Sequence, residues 1–221
     1  MTTYSEDSVT CGSCGNIFQH CSLNSTNAFG SMDLDTRPPE MQRSTMDAWI
    51  QRCPSCGFCS SDASVFNPDL RDVLSSPSYR AQLADQSLPQ LAATFACAGL
   101  LYESNGQIND AGWAYLHTAW LLDDELKTAE SARWRSRAAD AFLGSMKRGT
   151  PIVPQPGESE VIVVDCLRRV GRGDEALQII DSMGVAEIPE VIRKVFTYQR
   201  GLIQKKDLGC HTVGAALKHP T

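Results

Sequence analysis

The amino-acid sequence predicts a mainly α-helical protein preceded by a small cysteine-rich domain with short β-strands. Two C-x-x-C pairs fall within residues 1–60, whereas apolar residues recur every three to four positions from about Pro77 onward. Between these parts lie the tripeptides Asn67-Pro68-Asp69 and Ser75-Ser76-Pro77, whose residue types favour turns. We therefore expect a cysteine-rich domain at 1–60, a connector at 61–76 and a helical domain at 77–221.

Helical spacing and its interruptions define the elements of the second part. A capping-box pattern with a proline in the first turn, Ser87-Leu88-Pro89-Gln90, predicts the start of the first strong helix. The run Val161–Val164 favours a strand locally, but Leu167 and Val170 continue it at helical spacing, so we expect a helix there. Further helices are expected at 108–120, 128–147, 174–183 and from Pro189 onward, with fraying at 219–221.

A weak internal repeat accompanies these helices. Gly106-x4-Ala111 and Gly171-x4-Ala176 each place a glycine before an amphipathic helix and a small alanine inside it. The two matches lie 65 residues apart, close to twice the roughly 34-residue tetratricopeptide period. Small alanine allows two antiparallel helices to approach closely. We therefore expect tetratricopeptide-like antiparallel helix pairs.

The composition is that of an ordinary globular protein. Of 221 residues, 42% are hydrophobic and 21% are charged. No run approaches the roughly 18 apolar residues of a membrane helix, and the polar, acidic N-terminus lacks the pattern of a secretory signal. Nine cysteines without such a signal favour reduced thiols over a disulfide framework. We therefore expect a cytoplasmic protein that makes no membrane contact.

The paired cysteines predict one structural zinc ion. Cys11 and Cys14 form one C-x-x-C-Gly knuckle, and Cys53 and Cys56 form a second. Two knuckles supply the four thiolates of a closed tetrahedral site. Redox pairs or an iron–sulfur cluster are the alternatives, but redox C-x-x-C motifs usually occur singly in a βαβ unit, which is not visible here.

The other cysteines have two interpretations. Cys21 and Cys59 are either substitute ligands or redox reporters near the metal, or they are small buried hydrophobic residues, which is the favoured interpretation. Cys97, Cys166 and Cys210 lie singly and are expected in the core.

A segment between the knuckles, residues 33–39 with the sequence DLDTRPP, carries the second candidate site. In an extended chain Asp33, Asp35 and Arg37 would point to one side. They then form either a contact site for a partner, substrate or hard cation, or a set of mutual ion pairs that pins a loop with little core. The residues alone favour mutual pairing.

The remaining polar and aromatic residues give weaker signals. No H-E-x-x-H, G-x-S-x-G or glycine-rich phosphate loop is present. His117, amid aromatic residues, is expected in a core or groove rather than as a base. Arg133, Arg135 and Arg137 fall on two sides of a helix and are expected on a solvated surface. Trp113 and Trp120 are seven residues apart and are interpreted as core.

Together these segments resemble an uncharacterised prokaryotic family, a domain of unknown function. The resemblance covers nearly the whole chain and rests on the paired knuckles, the DLDTRPP segment, the Trp113-to-Trp120 helix and the DCLRRxG motif at 165–171. It implies a zinc-ribbon start with Cys11, Cys14, Cys53 and Cys56 as ligands, followed by tetratricopeptide-like helices. It implies no activity. DLDTRPP is its most specific element, which favours a role beyond local pairing.

The sequence favours a non-enzymatic adaptor that binds a protein or peptide partner through its helical domain. A zinc-ribbon nucleic-acid binder is one alternative. Residues 1–60 carry six acidic and three basic side chains, and four thiolates on one zinc would add about two further negative charges. That balance is the opposite of a nucleic-acid-binding module. An enzyme that uses Asp33 and Asp35 with His20 or a second metal is the other alternative.

Overall fold

The computed structural model describes residues 1–183 and 188–218 and is mostly helical. The expected fraying at 219–221 concerns residues outside this part. Helical periodicity correctly predicted the main helices, and 161–164 belong to a helix. The helices are α1 (Arg71–Ser75), α2 (Pro77–Leu83), α3 (Gln90–Ser104), α4 (Ile108–Asp124), α5 (Thr128–Lys147), α6 (Glu158–Arg169), α7 (Gly173–Ser182), α8 (Glu190–Gln204) and α9 (Val213–Lys218).

The N-terminal region contains short antiparallel strand pairs, as the sequence predicts. Each pair is a separate two-stranded sheet. A 3-10 helix, Arg43–Trp49, lies between the second and third pairs, and another, Pro68–Leu70, precedes α1. The pairs are β1 (Thr3–Thr10) with β2 (Ile17–Ser25), β3 (Ala28–Phe29) with β4 (Glu40–Met41), and β5 (Gln51–Arg52) with β6 (Cys59–Ser60).

The turns between helices repeat one backbone motif. Gly106 and Gly171 both adopt the left-handed conformation, with φ of 76° and 79°. After each, a backbone N–H returns to a carbonyl five residues earlier, the pattern of a Schellman helix end. Leu126 makes the same turn with φ of 57° and Lys206 with φ of 54°. The same turn therefore also occurs at positions that a search for glycine cannot find, and the tetratricopeptide-like pairing of helices stays a prediction.

Close helix packing depends on two other glycines. On α3, a Cβ added to Gly99 would overlap the ring of Tyr115 on α4. On α4, a Cβ added to Gly112 would lie 2.5 Å from Cδ1 of Phe142 on α5. Both rings are fully buried. Glycine at these positions lets the helices approach until the aromatic rings fill the space between them.

The start of α3 differs from the capping-box prediction. Pro89, not Ser87, is the residue before the first helical turn, and no side chain caps it. The Ser87 hydroxyl instead donates to Oδ1 of Asp85 at 2.6 Å. The physical reason is the extended backbone of Pro89, with ψ of 143°, which delays the start of the helix to Gln90.

The second cysteine knuckle is attached to the helices by three polar contacts. The Tyr79 hydroxyl on α2 donates to the carbonyl of Gly57 at 2.8 Å, and Arg80 Nη1 donates to the carbonyl of Cys56 at 2.9 Å. The N–H of Ser61 donates to the Tyr102 hydroxyl on α3 at 2.8 Å. Buried apolar residues of both parts also form one continuous cluster. Within the described ranges, none of the helices combines the length and apolar character that crossing a membrane requires.

Candidate metal centre and tryptophan groove

The four knuckle cysteines converge on one point. Their Sγ atoms all lie within 4.8 Å of one another. The Cys11–Cys56 and Cys14–Cys53 pairs are each 3.7 Å apart. Four sulfur ligands at about 2.3 Å from a tetrahedral ion lie about 3.8 Å from one another. This arrangement could therefore hold a metal ion.

The same turn builds both halves of the centre. The N–H of Gly15 donates to the carbonyl of Cys11 at 2.8 Å, and that of Gly57 donates to Cys53 at 2.9 Å. Both glycines are left-handed, with φ of 75° and 76°. A residue with a Cβ would be strained there, so the glycine after each C-x-x-C fixes where the two thiols point.

The thiols differ in acidity because their surroundings differ. Burial raises the pKa of Cys53, but the N–H groups of Cys56 and Ser55 and neighbouring thiols outweigh that effect and lower it to about 7. Burial and the three neighbouring thiols raise the pKa of Cys56 to about 12. A bound cation would favour the thiolate form of all four.

The remaining cysteines lie outside this cluster, which is the one group of three or more candidate ligand side chains found in the described residues. Cys59 is buried, as favoured, and its thiol donates to the carbonyl of Gly57 at 3.4 Å. Cys21 is exposed on β2, so its interpretation as a small buried residue is wrong. Cys97 and Cys166 are core residues, as predicted. Cys210 is exposed, so its prediction as core is wrong. It lies in the turn after α8, where helical periodicity no longer applies.

The DLDTRPP segment is buried rather than presented at the surface. Asp33, Asp35 and Arg37 are each at most 5% exposed. Their ionic partners lie outside the segment, which corrects the expectation of mutual pairing. Asp33 binds Arg43 at 2.7 Å, and Arg37 binds Asp124 on α4 at 2.5 Å. A contact role for these three residues stays a prediction.

Asp35 is the centre of a buried ionic network. Its Oδ2 accepts hydrogen bonds from Arg135 at 2.5 Å, from Trp120 Nε1 at 2.8 Å and from Arg169 at 3.3 Å. Both arginines also donate to Asp123, at 2.5 and 2.8 Å. Burial alone would raise the pKa of Asp35, but the two guanidinium groups outweigh it and hold that pKa below its usual range.

This network corrects one sequence prediction and connects two motifs. Arg135 is 1% exposed, so the expectation of a solvated surface is wrong for this residue. Its partner lies 100 positions earlier in the chain, beyond the reach of helical spacing. Arg169 belongs to the DCLRRxG motif, so the two motifs of the family resemblance contact each other at Asp35.

The C-terminal segment covers the other side of the DLDTRPP segment. The N–H of Leu34 donates to the carbonyl of His211 at 2.9 Å, and Val213 donates to Met32 at 2.9 Å. The His211 ring lies between the Tyr198 hydroxyl and the Asp207 carboxylate, 3.0 Å from each. Residues near the C-terminus therefore also hold the segment in place.

Two adjacent cavities, of about 220 and 410 Å³, form a concave surface between α4 and the loops around DLDTRPP. We call them together the tryptophan groove, because Trp49, Trp113 and His117 line both. Trp120 lines the larger cavity and is buried, whereas Trp49 and Trp113 are half-buried. The sequence predicted Trp113 and Trp120 as core residues, which is correct for Trp120, whereas Trp113 is only half-buried. It held no signal for Trp49, which lies on an irregular 3-10 helix.

His117 lies at the centre of an aromatic cluster. The ring centroids of Trp49, Phe95, Trp113 and Trp120 lie 4.9–6.0 Å from its own. Burial lowers its pKa to about 3; Asp35 opposes and Arg37 reinforces this effect. The imidazole is therefore neutral at physiological pH. Within 1–183 and 188–218, no protein group hydrogen-bonds either ring nitrogen.

No protein-family model matches the chain, and comparison with curated proteins and with solved structures likewise finds no match. The cysteine cluster and the helical body are features of the family that the sequence resembles, and membership in that family stays a prediction.

Proposed function

We propose that the chain is a zinc-stabilised, non-enzymatic adaptor that binds a protein or peptide partner through its helical domain in the cytoplasm. The observation that carries this proposal is the tryptophan groove. It is a concave surface with half-buried indole rings, next to segments fixed by ionic pairs. Tryptophan is enriched among the residues that dominate binding energy at protein interfaces.

Zinc is the metal that the cysteine centre fits best. Four thiolates at tetrahedral spacing form a closed structural site with no open position for a substrate. The four cysteines lie on two turns of the same geometry. A bound ion would fix the second knuckle, to which helix α2 is attached. Iron in the same four-thiolate geometry is the alternative, and metal analysis of the purified protein distinguishes the two.

The ionic arrangement favours binding over catalysis at the DLDTRPP segment. The carboxylate of Asp33 already pairs with Arg43, and the two oxygens of Asp35 accept from Arg135 and from the backbone N–H of Arg37. An enzyme that uses Asp33 and Asp35 would first have to break these pairs. Breaking a buried ion pair costs about 3–5 kcal/mol.

The charge of the N-terminal region disfavours the nucleic-acid alternative. Two of its three basic residues, Arg37 and Arg43, already pair with carboxylates. A surface that binds phosphates needs unpaired lysine or arginine side chains. We expect no salt-dependent binding of the folded protein to DNA or RNA.

Partner capture from the native host tests the adaptor proposal. The tagged chain would be crosslinked in cells, treated with nuclease, purified and analysed by mass spectrometry, beside Trp113→Ala. The matched control is Val191→Ala, an exposed apolar residue on α8 that lines neither cavity.

A near-stoichiometric partner that Val191→Ala retains and Trp113→Ala loses supports the proposal, once circular dichroism shows both variants folded. The purified partner must then bind the purified chain directly. Recovery of only nucleic acid or a small molecule would contradict the adaptor function.

A further inference from the structure

We propose that the tryptophan groove binds the methylated ammonium group of a modified lysine side chain on the partner. This inference rests on the proposed adaptor function, because the modified lysine belongs to the partner. It names the chemical group that the groove recognises. It follows from the aromatic walls of the groove, its charge and the state of His117.

The walls of the groove suit a cation that carries methyl groups. Indole faces attract a cation through the ring quadrupole, and cages of aromatic rings are a known solution for quaternary ammonium groups. Trp49 and Trp113 each contribute a half-buried ring to both cavities. The guanidinium of Arg37 already lies 5.9 Å from the centroid of Trp120. The cluster therefore accommodates one cation on its inner side.

The charge of the groove favours a cation over an anion. Among the described residues, no lysine or arginine lines either cavity, and Asp110 lines the smaller one. The Asp110 carboxylate accepts one long hydrogen bond, from Gln107 at 3.3 Å. His117 adds no positive charge because its surroundings keep the imidazole neutral. A bound ammonium group would thus have a carboxylate and aromatic faces as neighbours, with no competing lining cation.

Methylation makes the ammonium group compatible with this environment. An unmodified lysine ammonium group is compact and strongly hydrated, so its transfer from water into the groove costs free energy. Each methyl group replaces an N–H donor with apolar surface that can contact indole. The larger cavity has two neutral polar side chains, Thr36 and Gln42, beside three indole rings and the imidazole of His117. The smaller cavity adds the side chains of Ser61, Tyr102, Gln107 and Asp110. This balance favours a methylated over an unmodified side chain.

Tryptophan fluorescence and calorimetry test the proposal on the metal-loaded chain of 221 residues. The probe is Nα-acetyl-trimethyllysine N-methylamide. Its controls are the unmodified lysine analogue and the neutral isostere in which carbon replaces the charged nitrogen. We expect the trimethyllysine probe to bind at least about tenfold more tightly than either control, because only it combines charge with methyl groups.

Variants locate the site. Trp49→Ala and Trp113→Ala should each abolish saturable binding, Trp113→Phe should retain part of it, and Asp110→Asn should weaken it. Glu125→Gln, which lines neither cavity, should leave affinity unchanged. Circular dichroism and metal content identify any variant that fails to fold.

Three results would overturn the proposal: equal affinity for the charged probe and its isostere, no saturable binding, or binding of free choline without binding of the trimethyllysine probe. The last result would assign the groove to a small molecule. Loss of the partner from Trp113→Ala without any ammonium binding would leave the adaptor function intact and refute this inference alone.

Discussion

The carboxylate of Asp35 accepts a 2.5 Å hydrogen bond from Nη1 of Arg135, although 100 residues separate them and both side chains are buried. The pair connects the segment between the two cysteine knuckles to the centre of α5. Arg169 joins the same carboxylate from α6. The structure thus uses charge, in addition to apolar packing, to fix one N-terminal loop against two helices.

We expect Asp35→Asn to lower the free energy of unfolding by about 3 kcal/mol, because Arg135 and Arg169 lose the buried one of the two carboxylates that they share and keep only Asp123. Urea unfolding followed by circular dichroism measures this change. The matched control is Asp181→Asn, which removes an exposed partner of Arg200 and should change stability by less than about 0.5 kcal/mol. A similar small change for both variants would show that the Asp35 network contributes little.

We expect the purified chain to contain one zinc ion, and Cys14→Ser to lose it. Cys21→Ser is the matched control, since Cys21 is exposed on β2 outside the cluster, and it should keep the metal. Metal analysis by mass spectrometry gives the stoichiometry of each. Loss of zinc from Cys21→Ser would mean that the ligand assignment is wrong.

Chelation should selectively loosen the N-terminal region. Without the metal, four adjacent thiols lose the cation that offsets their negative charge, and the two knuckles separate. Hydrogen exchange should increase in β5, β6 and α2, because Tyr79 and Arg80 bind the second knuckle. The helical circular dichroism signal should largely remain. Increased exchange throughout α4–α6 would instead show that the whole chain unfolds as one unit.

The sequence predicted the elements whose cause is local. C-x-x-C-Gly turns and apolar spacing depend on residues close together in the chain, so the four clustered cysteines and the main helices could be identified. Arg135 could not be placed correctly, because only the path of the chain shows that Asp35 lies beside it. The groove could not be predicted for the same reason: Trp49 and Trp113 meet across different elements. Neither the C-x-x-C-Gly turns nor the apolar spacing indicates what the groove binds.

We expect stability to decrease below pH 6.5 because of His117. Its pKa is about 3 in the folded protein and about 6.5 when unfolded, so the unfolded state binds the extra proton between these values. The stabilisation is complete above pH 6.5 and is lost as the pH falls toward 3, with a slope of at most about 1.4 kcal/mol per pH unit.

His117→Phe removes this titration while keeping an aromatic ring beside Asp35 and Arg37. Between pH 6.5 and 5, the wild type should lose about 1–2 kcal/mol more than the variant. Urea unfolding at both pH values measures the difference. The range from pH 6.5 to 5 is chosen so that the metal is not lost, as it would be in stronger acid. Parallel pH dependence of the two proteins would mean that His117 protonates in the folded state.

Two glycine-to-alanine substitutions should have opposite effects. Gly112 on α4 faces Phe142, whose buried ring leaves no space for a methyl group. Gly112→Ala should therefore cost about 1–3 kcal/mol through overpacking. Gly201 lies inside α8, and apart from its two chain neighbours and the backbone of its own helix no atom lies within 4 Å of the position that an added methyl group would take. Because alanine loses less backbone entropy in a helix, Gly201→Ala should stabilise the protein by about 1 kcal/mol. Thermal and urea unfolding check both signs, and destabilisation by Gly201→Ala would contradict the open surface described for α8.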